Sequence, residues 1–251
     1  MTRPAGQAAG LSALIRQAGG EPLELPAIEI RDVVDLAPFH AIADQLESFD
    51  FAVFVSRNAV RKAFALLGAR RAGRPWPKRL RVAAVGSGSR EELTVRGFTE
   101  VIAPAIQFDS EALLEMPEFS DIAGRRIVIF RGEGGRKYLG DTLTARGAVV
   151  EHAACYRRVL PEAGREGFDA ACALGKVDAI LVSSAEGLAN LLEMLGGAGA
   201  QRLAGTALFV PHTRVAGEAA RQGLGQVLVA GPGDAQMTAA LVAYFGGASY
   251  N

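Results

Sequence analysis

The sequence predicts an α/β protein built from two similar halves, and two observations support this. Short, continuous apolar runs alternate along the chain with segments of helical period. Runs without polar alternation indicate strands buried on both faces, as in a parallel sheet, and strand–helix alternation indicates right-handed βαβ units. The second observation is an internal repeat, because a shift of 128 residues places Arg3 on Arg131 and Asp50–Ser56 on Asp178–Ser184. Solenoid repeats are roughly 20–50 residues long, so this repeat indicates two similar domains, with a site most naturally placed in a cleft between them.

Each predicted element follows from its local pattern. The apolar runs predict strands over 51–55, 82–85, 101–103, 127–130, 179–182, 207–210 and 227–230. The helical-period segments predict helices over 7–18, 58–68, 90–96, 110–116, 136–146, 185–195, 215–222 and 236–245. Ser89–Glu92 and Ser183–Glu186 fit capping boxes at helix starts. Three glycines stand where helices are expected to end: Gly97, Gly147 and Gly223.

The repeat also indicates a gap at the start of the chain. The predicted strand 127–130 precedes Arg131, so an equivalent strand is expected before Arg3, where only Met1 and Thr2 stand. Either the first strand is missing or the assigned start is too late. An incomplete sheet edge would then reduce the stability or solubility of one domain.

The composition excludes several classes of protein. Lys+Arg and Asp+Glu are both 27 among 251 residues and the pI is about 6.9, so nothing favours broad nucleic-acid binding. Cys155 and Cys172 are too few for a disulfide framework and are expected to be free thiols in a reducing compartment. We find no export signal and no apolar run of about 18 residues. We therefore expect a soluble, cytoplasmic protein without membrane contact.

The turns after the strands are the expected place for chemistry, since ligands in open α/β sheets bind at the carboxyl ends of strands. These turns are rich in hydroxyl groups, glycine and arginine. Arg57, Arg90 and Arg214 lie near helix starts, where a cation costs about 0.3–1 kcal/mol against the helix dipole. The recurrence predicts a bound anion, a polycarboxylate or a phosphate. The alternative is that these arginines extend into water and pair with acids such as Glu91 or Glu218.

Several sharper motifs are absent from the sequence. Gly86-Ser-Gly88 is followed by Glu91 where a dinucleotide fingerprint requires glycine, and no phosphate-binding P-loop exists. The three histidines lack metal-ligand spacing, and no serine has a nucleophile-elbow context. We therefore expect no metal and no cofactor, and chemistry by acid–base action, positioning and charge stabilisation.

Tyr156 is the best candidate for a general acid. It follows the apolar run around Val149–Val150 and precedes a loop-like segment, 161–167, that could link the domains. The alternative is an amphipathic tyrosine at a domain junction. Ser56 and Ser184 are repeat-equivalent and would face each other if the domains pair, although a serine at a helix start is often only a cap.

An ordered set of weak motifs runs along the chain, none of them specific by itself. These are Thr2-Arg3-Pro4, Leu25–Ile28, Ser56–Val60, Ala84–Gly86 with Ser89, Arg131–Arg136, Tyr156–Arg158, Val182–Leu188, Pro211–Ala216 and Ala219–Gly223. With this ordered set, the chain resembles uroporphyrinogen-III synthases over essentially its full length.

The resemblance implies a specific architecture. It implies two flavodoxin-like parallel-sheet domains joined by a two-stranded linker, with a cleft between them. The implied boundaries are 1–31 plus 162–251 for one domain and 32–161 for the inserted one.

The resemblance also implies a reaction in tetrapyrrole (heme) biosynthesis. Linear hydroxymethylbilane is cyclised without a cofactor, water is lost and ring D is inverted through a spiro intermediate, giving uroporphyrinogen III. Tyr156 matches the family tyrosine proposed to help expel the hydroxyl group. The residues expected to bind the eight-carboxylate substrate are Arg3, Ser56, Asn58, Ser89, Arg131, Ser184 and Arg214. Val55 stands where the family often has threonine, so it is given no role.

Two other functions remain open at this point. One is a non-catalytic, two-domain binder of a small anion, and the other is a family member that has lost activity. For the lyase we expect a monomer that meets the preceding pathway enzyme only transiently.

Overall fold

The computed structural model describes residues 1–106, 108–162, 166–197 and 199–246. Within these residues the strands are β1 (Glu29–Arg31), β2 (Phe51–Phe54), β3 (Arg81–Ala84), β4 (Val101–Ile102), β5 (Arg126–Gly132), β6 (Val149–Val159), β7 (Ala179–Leu181), β8 (Ala207–Val210) and β9 (Val227–Val229). The α-helices are α1 (Ala9–Gln17), α2 (Ala37–Asp44), α3 (Arg57–Arg71), α4 (Ser87–Val95), α5 (Ser110–Leu114), α6 (Tyr138–Ala145), α7 (Glu166–Ala173), α8 (Ala185–Leu195), α9 (Gly199–Leu203), α10 (Thr213–Arg221) and α11 (Asp234–Gly246).

The chain divides into two compact units. Unit 1 comprises residues 1–30 and 159–251, and unit 2 comprises residues 31–158. The domain boundaries implied by the family resemblance lie within three residues of these positions. The division into domains over 1–31 plus 162–251 and over 32–161 stays a prediction.

Unit 2 contains a mainly parallel sheet with the strand order β1-β6-β5-β2-β3-β4. Strands β2, β3, β4, β5 and β6 pair with their neighbours in parallel. All four residues of β2 are buried, because helices cover both faces of a parallel sheet. The predicted α/β class with parallel sheets is therefore confirmed.

Unit 1 contains the parallel sheet β7-β8-β9. Residues 1 and 2 extend this sheet beyond β7. The N–H of Thr2 donates to the carbonyl oxygen of Leu181 (3.0 Å), and the N–H groups of Leu25 and Ala27 donate to the carbonyl oxygens of Met1 (2.9 Å) and Thr2 (3.2 Å). Met1 and Thr2 thus occupy the place that Ile129 and Phe130 of β5 have in unit 2.

All the predicted strands and helices are present, with ends shifted by at most three residues. The helix-terminal glycines are confirmed, because Gly97, Gly147 and Gly223 have φ of +91°, +87° and +80°.

Other elements were not predicted from the sequence. They are β1, α2, α7, α9 and the whole of β6, which runs to Val159. The C-terminal half of β6 carries Arg157 and Arg158, so it lacks the continuous apolar pattern of a central strand. The segment 161–167 was expected to be a loop, but α7 already begins at Glu166.

Candidate active site

Ser56 begins the first turn of the candidate site in unit 2. It follows β2 and caps α3, and its Oγ accepts a hydrogen bond from the N–H of Ala59 at 3.0 Å. The same Oγ lies 3.0 Å from the hydroxyl oxygen of Tyr156, and either group can donate. Ser56 is therefore a helix cap, and its hydroxyl group has Tyr156 as a second hydrogen-bond partner. Asn58, another predicted binding residue, is half-buried in the same helical turn.

Tyr156 lies inside β6 rather than in a loop. Its side chain is 2% exposed, so the ring is held within unit 2. In the sheet it is paired with Gly132 of β5, next to an irregularity in the register. A Cβ atom at Gly132 would lie 2.8 Å from Cε2 and 2.9 Å from Cζ of the tyrosine ring. The absence of a side chain at position 132 therefore determines where the phenol can lie.

Two guanidinium groups converge beside this tyrosine. A Cβ atom at Gly135 would lie 3.0 Å from Nη2 of Arg131 and 3.3 Å from Nη2 of Arg158. Arg158 also lies over the Tyr156 ring, with Cζ 6.0 Å from the ring centroid. Burial, followed by the positive charge of Arg158, lowers the pKa of Arg131. An anion bound here would relieve this repulsion.

Arg131 is also anchored to its own loop. Its Nε donates to the carbonyl oxygen of Gly132 (3.3 Å), and its Nη2 donates to that of Gly134. Its carbonyl oxygen accepts a hydrogen bond from Sγ of Cys155 at 3.2 Å. The predicted binding residue Arg131 is therefore adjacent to the predicted acid, Tyr156. Sequence reasoning did not select Gly132 or Arg158, because neighbours across a sheet depend on a register that the sequence does not state.

Ser89 does not cap a helix, which corrects the predicted capping box over Ser89–Glu92. The helix α4 begins at Ser87 with Gly86 as its N-cap, so Ser89 lies within the first turn. Its side chain is 2% exposed, and its hydroxyl makes no hydrogen bond to any residue that the structure describes. Glu92 instead forms ion pairs with Arg61 and Arg96.

Ser184, not Ser183, caps α8 in unit 1, so the second predicted box is wrong by one residue. Its Oγ accepts a hydrogen bond from the N–H of Gly187 at 3.0 Å, as Ser56 does from Ala59. Thr2 is nearby, because a Cβ atom at Gly187 would lie 3.2 Å from Oγ of Ser184 and 3.8 Å from Oγ1 of Thr2. Unit 1 thus has its own pair of hydroxyl groups at the equivalent turn.

The arginines near helix starts behave differently from one another. Arg57 forms an ion pair with Glu91 at 2.9 Å, so the structure favours surface pairing for this residue. Arg214 in α10 is exposed and forms no ion pair with any described residue, and Glu218 pairs with Arg221 instead. Arg3 is held by Asp234 at 2.6 Å in unit 1.

Among the residues that the structure describes, neither a metal-binding cluster nor a membrane-spanning helix is found. No group of three or more His, Cys, Asp or Glu residues is placed to hold a metal ion. No helix combines the length and the apolar character needed to cross a membrane.

The family model "Uroporphyrinogen-III synthase HemD" matches residues 9–239. The chain belongs to the uroporphyrinogen-III synthase family. The resemblance carried by the ordered motifs is thereby confirmed.

Curated relatives and solved structures agree with this family. The chain is 40% identical to a uroporphyrinogen-III synthase of Salmonella typhimurium and 35% identical to that of Escherichia coli, over 63% of each chain compared. The match thus spans somewhat less than two thirds of each relative's length. In fold, the chain resembles the uroporphyrinogen III synthases of Thermus thermophilus, in a mutant form (TM-score 0.65, 18% identity, 97% of this chain and 98% of that one), and Helicobacter pylori (TM-score 0.58, 17% identity, 90% and 93%).

Proposed function

We propose that this chain is a uroporphyrinogen-III synthase, a hydro-lyase that cyclises hydroxymethylbilane with loss of water and inversion of ring D. Membership of the family and the names of its relatives support this proposal. The observation that carries it is the hydrogen bond between Tyr156 and Ser56, at the carboxyl end of β2 and the start of α3. This is where an α/β sheet presents groups to a ligand.

The pair can supply the proton that the reaction needs. When the C–O bond of the hydroxymethyl group breaks, the departing oxygen takes up a proton and leaves as water. Tyr156 is 2% exposed and Ser56 is half-buried, so we assign contact with the leaving group to Ser56. Tyr156 then restores the serine proton through the 3.0 Å hydrogen bond, and the proton that the substrate releases on ring closure returns to the tyrosine.

The surrounding charges suit a substrate with many carboxylates. Arg131 and Arg158 both approach Gly135 close to Tyr156. A carboxylate between two guanidinium groups forms charge-assisted hydrogen bonds, which are stronger than neutral ones. The other proposed binding residues are Arg3, Asn58, Ser89, Ser184 and Arg214. Of these, Arg214 presents an exposed guanidinium, whereas an anion at Arg3 must compete with Asp234.

Two variants test the proton-donating pair. We expect Tyr156→Phe and Ser56→Ala each to lower turnover about 10- to 100-fold without abolishing it, because ring closure also depends on holding the ends of the bilane together. The double variant should lose little more than either single one, since both act through one hydrogen bond. The measurement supplies hydroxymethylbilane made from porphobilinogen and separates the oxidised products by chromatography.

A matched control and the isomer ratio make this test decisive. Tyr244→Phe removes a hydroxyl group that accepts a hydrogen bond from Gln226 in unit 1, and it should leave turnover unchanged. The uncatalysed bilane closes to the type I isomer. Only type I product from the folded wild-type chain would favour the non-catalytic anion binder. Additive losses in the double variant would separate Ser56 from Tyr156 in the mechanism.

The remaining expectations about the molecule in solution belong to this proposal. We infer a cytoplasmic monomer that meets the enzyme supplying the bilane only transiently. Spontaneous closure to the type I isomer supports such a contact, because the bilane is lost if it stays free. Analytical ultracentrifugation tests the monomer directly, and a stable dimer would contradict it.

A further inference from the structure

A glycine-rich loop lies against the two guanidinium groups of the candidate site. This segment, 133–137, joins β5 to α6 and is called the glycine loop. Gly134 and Gly135 have φ of +67° and +81°, a region that glycine enters without strain. A Cβ atom at Gly135 would lie 3.0 Å from Nη2 of Arg131 and 3.3 Å from Nη2 of Arg158. The placement of both cations therefore depends on how firmly this loop is held.

The sheet of unit 2 holds the first half of the glycine loop. The N–H of Glu133 donates to the carbonyl oxygen of Tyr156 at 2.8 Å. The carbonyl oxygen of Gly134 in turn accepts a hydrogen bond from Nη2 of Arg131. The direction of the Arg131 guanidinium is therefore coupled to the backbone of the loop as well as to its own strand.

Arg136 holds the second half of the glycine loop. Its Nη2 lies 2.5 Å from Oε1 of Glu111 in α5, and its Cζ lies 4.4 Å from the centroid of the Tyr138 ring. A charge-assisted hydrogen bond and an aromatic face thus fix one guanidinium group. Because Tyr138 directly follows the loop in the chain, the ion pair with Glu111 is the contact that ties this half of the loop to a different element.

Helix α5 gives Glu111 a fixed position. Leu113 and Leu114 of this helix are buried in the core cluster that also contains Leu139 of α6. Exposed ion pairs usually contribute little to stability. Here, however, Oε2 of Glu111 is buried and makes no hydrogen bond with any residue that the structure describes. The carboxylate therefore depends on Arg136 to compensate its charge, which favours the paired arrangement.

We propose that Glu111 is a positioning residue for substrate binding. Its ion pair with Arg136 fixes the glycine loop, and the loop in turn keeps Arg131 beside Arg158, where a substrate carboxylate binds both. Glu111 does not touch the substrate and acts only through this series of contacts. The inference rests on the proposed function, because the carboxylate belongs to the bilane. Its loss should weaken binding of the substrate much more than it slows the chemical step.

A charge exchange tests this role. We expect Glu111→Gln to raise KM for hydroxymethylbilane about fivefold, and Glu111→Lys at least tenfold because lysine repels Arg136. In both variants kcat should change less than twofold. Adding Arg136→Glu to Glu111→Lys restores an ion pair of opposite direction and should recover most of the lost affinity. The matched control is Glu118→Gln, which removes a similarly exposed ion pair with Arg81 of unit 2 and should change neither constant.

A second measurement does not need the reaction. Deuterium uptake over 133–137, followed in short labelling pulses without substrate, should be at least fivefold faster in Glu111→Lys than in the starting chain. It should return towards the starting value in the exchanged pair. If the starting chain gave only type I product, the proposed function would fail and the substrate-binding role of Glu111 with it, while deuterium uptake would still decide whether Glu111 holds the loop.

Three results would overturn the proposal for an active chain. Equal uptake in the starting chain and Glu111→Lys would show that the ion pair does not hold the loop. Faster uptake with an unchanged KM would show that the loop does not position the binding arginines. A raised KM that the exchanged pair fails to lower would show that Glu111 acts by some route other than its ion pair with Arg136.

Discussion

The position of Tyr156 depends on a residue that contributes no side chain. Gly132 leaves room for the phenol ring, and a methyl group there would approach the ring within 2.8 Å. We expect Gly132→Ala to displace the ring and break the hydrogen bond to Ser56, which lowers turnover at least tenfold. The cost in stability should be about 1–3 kcal/mol, as for other overpacked sites. Isomer-resolved turnover and urea unfolding measure the two effects separately.

Gly140 provides the matched control for this steric clash. A Cβ atom there would lie 2.7 Å from Cε1 of His152, which is also in unit 2 but has no role in the proposed reaction. Gly140→Ala should therefore cost some stability while turnover changes less than twofold. Equal losses of turnover in both variants would mean that overpacking, and not the displaced phenol, causes them.

The two cysteines should differ in reactivity. Burial raises the pKa of Cys155 to about 12, and its Sγ donates to the carbonyl oxygen of Arg131. At pH 8 only about one such group in 10⁴ is a thiolate, the reactive form. Burial also raises the pKa of Cys172, but this residue is only partly buried in α7.

We therefore expect a thiol reagent at pH 8 to modify Cys172 first and Cys155 only after unfolding. With a disulfide reagent that releases a coloured thiolate, absorbance follows the rate at which each cysteine is modified. The Cys172→Ser variant should lose the fast phase and keep the slow one. A fast phase that persists in this variant would contradict the buried position of Cys155.

At the scale of single residues, the sequence predicts hydroxyl groups and cations at the strand ends more reliably than it predicts their partners. Ser56 and Ser184 follow buried strands, so their place at helix starts follows from the apolar pattern. The hydrogen bond between Ser56 and Tyr156, which lie 100 residues apart along the chain, depends on the pairing of β5 with β6. Glu91 neutralises Arg57 because two helices lie side by side, which local sequence does not reveal.

Helix α3 carries two residues that do not match their backbone positions. Gly68 lies in its exposed interior with nothing within 4 Å of an added Cβ atom. Ala72 caps its C-terminus in the left-handed conformation, with φ of 47°. Glycine is unfavourable in a helix by about 1 kcal/mol relative to alanine, and alanine is unfavourable in the left-handed region.

Alanine at position 68 and glycine at position 72 should each make the protein more stable. We expect Gly68→Ala to add about 1 kcal/mol and Ala72→Gly about 0.5–1 kcal/mol to the free energy of unfolding, measured in urea. Ala69→Gly, at an exposed neighbouring site, serves as the control and should lose about 1 kcal/mol. A loss of stability in Ala72→Gly would mean that chain flexibility outweighs the relief of the left-handed alanine.

At the scale of elements, the sequence predicts the strands and helices that have a strong apolar pattern and misses those that have a weak one. The central strands are continuous apolar runs, and α8 has the bounds expected from its pattern, 185–195. Helix α2 has only eight residues and contains Pro38 near its start, so it shows little period. Packing of Phe39 against Phe130 of β5, with ring centroids 6.1 Å apart, supports α2 instead.

The whole molecule consists of two units with separate cores, and the repeat in the sequence predicts this similarity. The order β6-β5-β2-β3-β4 of unit 2 recurs in unit 1 as residues 25–27, residues 1–2, β7, β8 and β9. The shift of 128 residues therefore describes structure as well as sequence.

The cores of the two units are filled to different extents. Unit 2 contains the single tryptophan of the chain, Trp76, with ring centroids 5.4 Å from Phe64 and 5.2 Å from Phe98. Unit 1 contains a cavity of about 410 Å³ that is partly open to solvent, and Leu23, Val242 and Phe245 of its lining stay partly exposed. Apolar surface that stays in contact with water adds little to stability. We therefore expect unit 1 to unfold at a lower urea concentration than unit 2.

Two probes on one sample test this expectation. Tryptophan fluorescence reports unit 2 alone, whereas far-ultraviolet circular dichroism reports the helices of both units. The dichroism signal should fall first, with the midpoints separated by about 0.5–1 M urea. Leu191→Ala, in the core of unit 1, should widen this separation, and Ile129→Ala, in the core of unit 2, should narrow it. Coincident transitions in all three proteins would mean that the two units unfold as one cooperative body, and the cavity would then weaken the whole chain equally.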